Sequence, residues 1–187
     1  MEFDEIAIIK KCQAGNREDF ALLYDAYVNK IYSFIYYRTQ HKETAEDLTS
    51  RAFMKALEKI KSFNPELGNF SAWLYRIARN SVIDHYRTKK NETDIADIWD
   101  LSDGQDIERD IDTKEKLKAV DAYLKTLKSE QREIIIMRVW QGMSYLEIAE
   151  VLGRSEASCK MTYLRAIARL KQEMPLSALV LFILTRL

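Results

Sequence analysis

Between Lys90 and Thr113 the chain carries nine acidic residues against two basic ones, with scattered apolar residues that follow no sustained period. Asn91, Thr93, Ser102, Gly104 and Thr113 punctuate it. A segment of this kind buries too little apolar surface to offset the entropy of ordering it, so it reads as a solvated linker. On both sides the pattern changes to apolar residues every three or four positions, the period of an α-helix with one buried face. Residues 1–89 have 14 basic and 12 acidic side chains, and residues 114–172 have 12 and 7, so the equal totals of 29 hide a strong segregation. Five glycines and two prolines in 187 residues are about a third of the usual ~12%. That is too little turn chemistry for a β-sandwich or barrel. The expected fold class is all-α, with two small helical domains: an N-terminal bundle (1–89) and a C-terminal four-helix domain (114–172). An acidic linker (90–113) joins them, and an apolar tail (173–187) follows.

In the first block, Phe20, Leu23, Tyr24, Tyr27, Ile31, Phe34 and Ile35 form one stripe, and Ala45, Leu48, Ala52, Ala56, Leu57 and Ile60 a second. Thr44-Ala-Glu-Asp47 resembles a capping box opening the second helix. The cluster Asn64-Pro-Glu-Leu-Gly68 breaks the chain before a third helix from about Phe70. Beyond the linker, Leu117, Val120, Leu124 and Leu127 mark one helix, Ile134 to Trp140 another, and Tyr145, Ile148, Ala149 and Leu152 a third. The fourth runs from about Ser155. Cys12 and Cys159 are too few and too distant to frame a metal site or a disulfide network. The acidic N-terminus and the lack of an 18-residue apolar run lead to the expectation of a cytoplasmic protein without signal peptide or membrane span.

The most specific local signal is Ser144 to Cys159, two helical patterns joined at Gly153. Ser144 with Glu147 makes a capping box, small Ala149 permits close helix approach, and Gly153 supplies the positive φ of a helix-turn-helix. In the next helix Cys159, Tyr163, Ala166 and Leu170 share the core side. Arg154, Ala157, Ser158, Met161 and Arg165 lie opposite, flanked by Lys160, Thr162 and Arg169. An α-helix fits the major groove, so such a face can read base edges while its cations hold phosphates. Candidate duplex-binding residues are Arg154, Ser158, Lys160, Met161, Thr162 and Arg165.

In the third helix of the first block, Arg76, Asn80, Asp84 and Arg87 make one polar face opposite Phe70, Trp73, Leu74 and Ile77. Basic residues interleaved with Tyr75, His85 and Tyr86, beside a loop holding Phe63 and Asn69, suit single-stranded nucleic acid, where cations track the backbone and bases stack on flat partners. A solvated helix face over an aromatic core explains the same pattern.

Taken together the two halves resemble the extracytoplasmic-function (ECF) subfamily of sigma-70 RNA polymerase sigma factors. The resemblance is carried by Ala45-Glu-Asp-Leu48, Phe53 and Ala56-Leu57, then Phe70 to Arg87, then Leu127 to Glu133 and the helix-turn-helix, in that order over about Asp19 to Lys171. It implies a non-enzymatic subunit with no cofactor, metal or small-molecule substrate, whose partners are core RNA polymerase and promoter DNA, with room for an anti-sigma factor. It assigns Glu46, Asp47, Leu48 and Phe53 to polymerase binding and the duplex minus-thirty-five element to the helix-turn-helix. Phe63, Asn69, Arg76, Asn80, Asp84 and Arg87 go to the melted minus-ten element, with the Ser62 to Asn69 loop capturing a flipped base. Thr162, Met161 and Leu164 depart from the family pattern and leave fewer charges on the recognition helix. The segment Leu176 to Leu187, nine apolar residues of twelve, is also unusual, and is expected to pack on the second domain, with contact to a regulator or a membrane surface as the alternative. A helix-turn-helix repressor or activator working without polymerase is the main alternative. A carboxylate-metal enzyme built on His41, Glu43, Glu46 and Asp47 lacks a Glu-x-x-His pair.

Overall fold

The computed structural model describes residues 3–39, 41–89, 124 and 126–173. The segment 90–113 expected to be a linker, most of the helix expected around Leu117 and Val120, and the apolar tail lie outside them. The chain divides into two compact units, residues 1–91 and 92–187.

In the first unit, α1 (Glu5–Gln13) was not expected from the sequence. Asp4 caps it, its Oδ1 accepting from Ala7 N at 3.0 Å, and Ile8, Ile9 and Cys12 turn inward. The Tyr27 hydroxyl donates to Glu5 and ties α1 to α2 (Phe20–Thr39). Leu23, Ile31, Phe34 and Ile35 on α2 are fully buried, as a 3.6-residue stripe requires. Arg38 is also buried, its guanidinium 5.3 Å from the Phe34 ring centroid. Helix α3 (Lys42–Lys59) starts earlier than the Thr44 box implied. Its cap is His41, whose Nδ1 accepts from Thr44 N at 3.3 Å, so Thr44 is the donor of the cap and not its acceptor. A 3₁₀ turn (Ile60–Ser62) and a loop lead into α4 (Phe70–Lys89). Helices α2, α3 and α4 pack on one another around Leu48, Ala52, Phe53, Leu74, Tyr75 and Ala78.

The second unit contains α5 (Ser129–Ile135), α6 (Tyr145–Leu152) and α7 (Glu156–Glu173) among its described residues. The apolar run from Ile134 to Trp140 is not one regular helix. Residues Ile136–Trp140 widen into a π turn, in which the Ile136 carbonyl accepts from Gln141 N, five residues on, at 3.2 Å. The extra residue rotates the end of the element while Ile135, Ile136 and Met137 stay buried. Leu124, Leu127, Ile135, Val139, Ala166 and Leu170 form the core on which α7 lies. The buried Arg132 closes the preceding turn by donating to the carbonyls of Leu124 at 2.8 Å and Leu127 at 3.3 Å.

Candidate nucleic-acid interface

The helix-turn-helix forms as its residues dictate. Ser144 Oγ accepts from Glu147 N at 3.2 Å while the Glu147 carboxylate accepts from Ser144 N at 2.7 Å, a reciprocal box that starts α6. Gly153 ends α6 in the left-handed conformation, φ +66° and ψ +39°, which costs a residue with a Cβ roughly 1–2 kcal/mol. Ser155 Oγ then accepts from Ser158 N at 3.3 Å at the start of α7. Cys159, Ala166 and Leu170 are fully buried, so the rotation of α7 is fixed and its other side faces outward. Burial pushes the Cys159 thiol up, against a smaller opposing pull from Arg154.

On that outward side Lys160, Met161 and Arg165 are exposed, and Ser158 and Thr162 are half-buried. Arg154 has partners within the fold. Its guanidinium pairs with Glu130 of α5 and donates to Ser158 Oγ at 2.8 Å, so it fastens the turn between α6 and α7 to α5. Thr162 Oγ1 donates to the Ser158 carbonyl at 2.9 Å, a bond within its own helix.

In the first unit, α4 presents Arg76, Asn80, Asp84 and Arg87, all exposed, along one face. Asp84 lies 3.8 Å from Lys55 Nζ, which links α4 to α3. Tyr75 and Tyr86 are buried, so these two aromatic rings belong to the core and offer no stacking platform. The loop before α4 is held at both ends. Phe63, expected to touch DNA, is only 7% exposed, with its ring 5.5 Å from that of Phe70 and 5.2 Å from that of Trp73. Asn69, from the same expected set, caps α4: its Oδ1 accepts from Ser71 N at 2.7 Å and Ala72 N at 3.4 Å. Both shape the loop from within. Asn64 Oδ1 accepts from Glu66 N at 2.9 Å, and this Asx turn lifts Leu67, 84% exposed, to the tip.

Sequence reasoning missed one further support. Gln13, at the end of α1, donates through Nε2 to the carbonyls of Ile60 at 3.0 Å and Phe63 at 2.6 Å. The bonds run to backbone atoms 47 and 50 residues away, which no local pattern announces.

The residues expected to bind polymerase divide in the same manner. Glu46 and Asp47 are exposed on α3, with Asp47 bonded at 3.0 Å to Arg51 one turn on. Leu48 and Phe53 are 1% and 4% exposed, and the Phe53 ring packs on Phe20 and Tyr24. The periodicity that puts Glu46 and Asp47 outside puts Leu48 and Phe53 inside. Among the described residues no group of three or more His, Cys, Asp and Glu side chains is placed to hold a metal ion, and no helix is long and apolar enough to cross a membrane.

Comparison with known proteins bears on both units. Residues 23–92 match the family described as Sigma-70 region 2, and residues 117–170 match Sigma-70, region 4. The chain is 34% identical over 173 residues to the ECF RNA polymerase sigma factor BldN of Streptomyces coelicolor, an alignment covering 90% of this chain and 65% of BldN. It is 32% identical to the ECF RNA polymerase sigma factor SigM of Bacillus subtilis, covering 80% of this chain and 91% of SigM. Among solved structures, the sigma factor RpoE of Bartonella quintana, crystallised with the anti-sigma factor NepR, superposes with a TM-score of 0.64 at 27% identity. That match covers 83% of this chain and 96% of RpoE. With both sigma regions in order, and with SigM covered almost end to end, the chain belongs to the extracytoplasmic-function subfamily of sigma-70 RNA polymerase sigma factors.

Proposed function

We propose that this chain binds core RNA polymerase, directs it to promoters and starts transcription through two separate DNA-reading surfaces. One observation carries the reading: each unit turns outward a helix face that carries cations, α4 with Arg76 and Arg87 beside Asn80 and Asp84, and α7 with Lys160 and Arg165 beside Met161. On α7, Lys160 and Arg165 flank a face of the width that enters a major groove, and this unit takes the minus-thirty-five duplex. Arg154, Ser158 and Thr162 support that face and define its edge.

The α4 face and the loop above it take the minus-ten element as a separated strand. Arg76 and Arg87 follow its backbone, and Asn80 offers both a donor and acceptors to a base edge. Unstacking a nucleotide costs a few kcal/mol, which binding of the released base offsets. A loop already held by Gln13, Phe63 and Asn69 loses little further freedom when it does so. Glu46 and Asp47 on α3 meet basic side chains of the polymerase, while Leu48 and Phe53 hold α3 at the angle that presents them.

In this reading the chain acts in the cytoplasm, catalyses no reaction and needs no cofactor, because recruitment and strand capture are binding events. The acidic stretch 90–113 is the linker between the two modules. The likeness to RpoE, solved with NepR, adds an anti-sigma factor to the expected partners. The match of residues 23–92 to region 2 weighs against a helix-turn-helix regulator working without polymerase.

The test is run-off transcription by purified core polymerase on a genomic fragment library, with and without this chain. Specific transcripts only in its presence, and co-elution with core polymerase, are the expected results. DNA binding without either would sink the proposal.

A further inference from the structure

We propose that Met161 and Leu164 read thymine C5-methyl groups in the major groove, so that thymines are the bases this chain selects in its duplex element. This rests on the reading above that α7 enters the groove, and names what it recognises there.

The rotation of α7 is set by Cys159, Ala166 and Leu170, each fully buried. On the outward side Met161 is 49% exposed and Leu164 47% exposed. At a spacing of three they are neighbours on one helix face. A single exposed apolar side chain is unremarkable on any protein surface. Two large ones side by side on the face that a helix-turn-helix presents to DNA replace the polar groups needed for hydrogen-bonded reading.

The nearby polar groups do not make up the loss. Arg154 is held by Glu130 and Ser158, Ser158 Oγ receives that bond, and the Thr162 hydroxyl donates into its own helix. Lys160 and Arg165 are exposed beside the apolar pair. They suit phosphates, which set position without carrying sequence information.

The base edges in a major groove present hydrogen-bond donors and acceptors, and one apolar group, the methyl of thymine. Covering the donor of cytosine or the acceptors of guanine with Met or Leu strips water and returns no bond, which is unfavourable. Covering a methyl is favourable. The same two side chains therefore select for thymine and against the G·C edge, and the cationic flanks favour DNA over an apolar protein partner as the occupant.

The test uses the full chain with core polymerase and two duplex libraries randomised across the minus-thirty-five positions, one made with thymine and one with deoxyuridine, which pairs alike but lacks the methyl. Thymine should be enriched at two or three neighbouring positions in the first library, and uracil at none in the second. On the selected element, replacing each such thymine by deoxyuridine should weaken binding about fourfold, which is ~0.8 kcal/mol for one methyl-sized group at 1.4 kcal/mol per tenfold. Met161→Ala and Leu164→Ala should each bring the thymine-to-deoxyuridine ratio at one position close to one, with the helical circular dichroism unchanged. Equal binding of the two bases by the unsubstituted chain overturns this inference and leaves minus-thirty-five recognition standing. Absence of any duplex selectivity in either library overturns the underlying reading as well. If removing residues 176–187 strengthens binding while the two alanine variants keep the full ratio, the apolar pair covers that segment, and the inference fails.

Discussion

Replacing Gln13 by alanine should loosen the loop before α4 without touching any residue in it. Gln13 Nε2 donates to two carbonyls, Ile60 at 3.0 Å and Phe63 at 2.6 Å, and alanine removes both bonds. A hydrogen bond within a protein contributes a net ~0.5–1.5 kcal/mol, so the pair is worth about 1–3 kcal/mol. Gln13 is half-buried, so water can reach the vacated carbonyls, and the lower half of that range, about 1–2 kcal/mol, is expected. For a unit of residues 1–91 this lowers the melting temperature by roughly 4–15 °C. The assay is urea unfolding followed by the fluorescence of Trp73, which lies 5.2 Å from the Phe63 ring, with Trp99 and Trp140 replaced by phenylalanine. Gln13→Glu should be at least as damaging, since an ionised carboxylate cannot donate to a carbonyl. Gln13→Lys, which can donate, should recover part of the loss. Promoter opening should fall with stability in the same order. If Ala, Glu and Lys variants are indistinguishable, or Gln13→Ala costs under about 0.3 kcal/mol, the pinning argument is wrong.

Asn80→Ala should leave minus-thirty-five duplex binding intact and reduce permanganate reactivity of the melted thymines; unchanged opening would remove Asn80 from the strand-binding face. Gly153→Ala should destabilise the second unit by about 1–2 kcal/mol, read as a loss of thermal stability. Beyond its two chain neighbours no atom lies within 4 Å of an added Cβ, so the cost is that of the left-handed backbone, and no repacking of surrounding side chains should accompany it. Both thiols should resist an aromatic disulfide reagent until the protein unfolds. Desolvation pushes Cys12 and Cys159 up, with Asp19 adding to the effect at Cys12. The folded state therefore holds these protons more tightly than the unfolded one. Their contribution to stability is complete at neutral pH and is lost as pH climbs through the alkaline range, a loss that Cys12→Ala with Cys159→Ala should diminish in an alkaline denaturation series.

What could be read from the chain alone follows the range of the interactions. Ser144, Glu147 and Gly153 form their cap and turn with residues no more than a few positions away, and local chemistry specifies them completely. The stripes of α2 and α3 were legible for the same reason, because burial on one face repeats with the helix. The supporting roles of Phe63 and Asn69 are not legible, because an aromatic and an amide in a loop look identical in sequence whether they point out to a ligand or in to support the loop. Leu48 and Phe53 belong to a motif whose positions mix surface and core. His41 took the cap that Thr44 was expected to provide, since either side chain can accept from a first-turn amide. In the α1 helix Ile6, Ala7, Ile8 and Ile9 run consecutively and blur the face that Ile8, Ile9 and Cys12 bury, while Ile6 stays exposed. Gln13 was invisible because its partners are distant carbonyls.

The two ends of the loop before α4 are riveted by Phe63 and Asn69, and neither rivet belongs to the tip. Residues 65–68 can therefore be exchanged like a cartridge, with Asn64 keeping the turn and Gln13 as the latch on the housing. If the loop captures a promoter base as proposed, promoter preference is free to drift by substitutions there that leave folding untouched. Relatives that keep such fasteners while changing what lies between them would open different promoters from the same chassis.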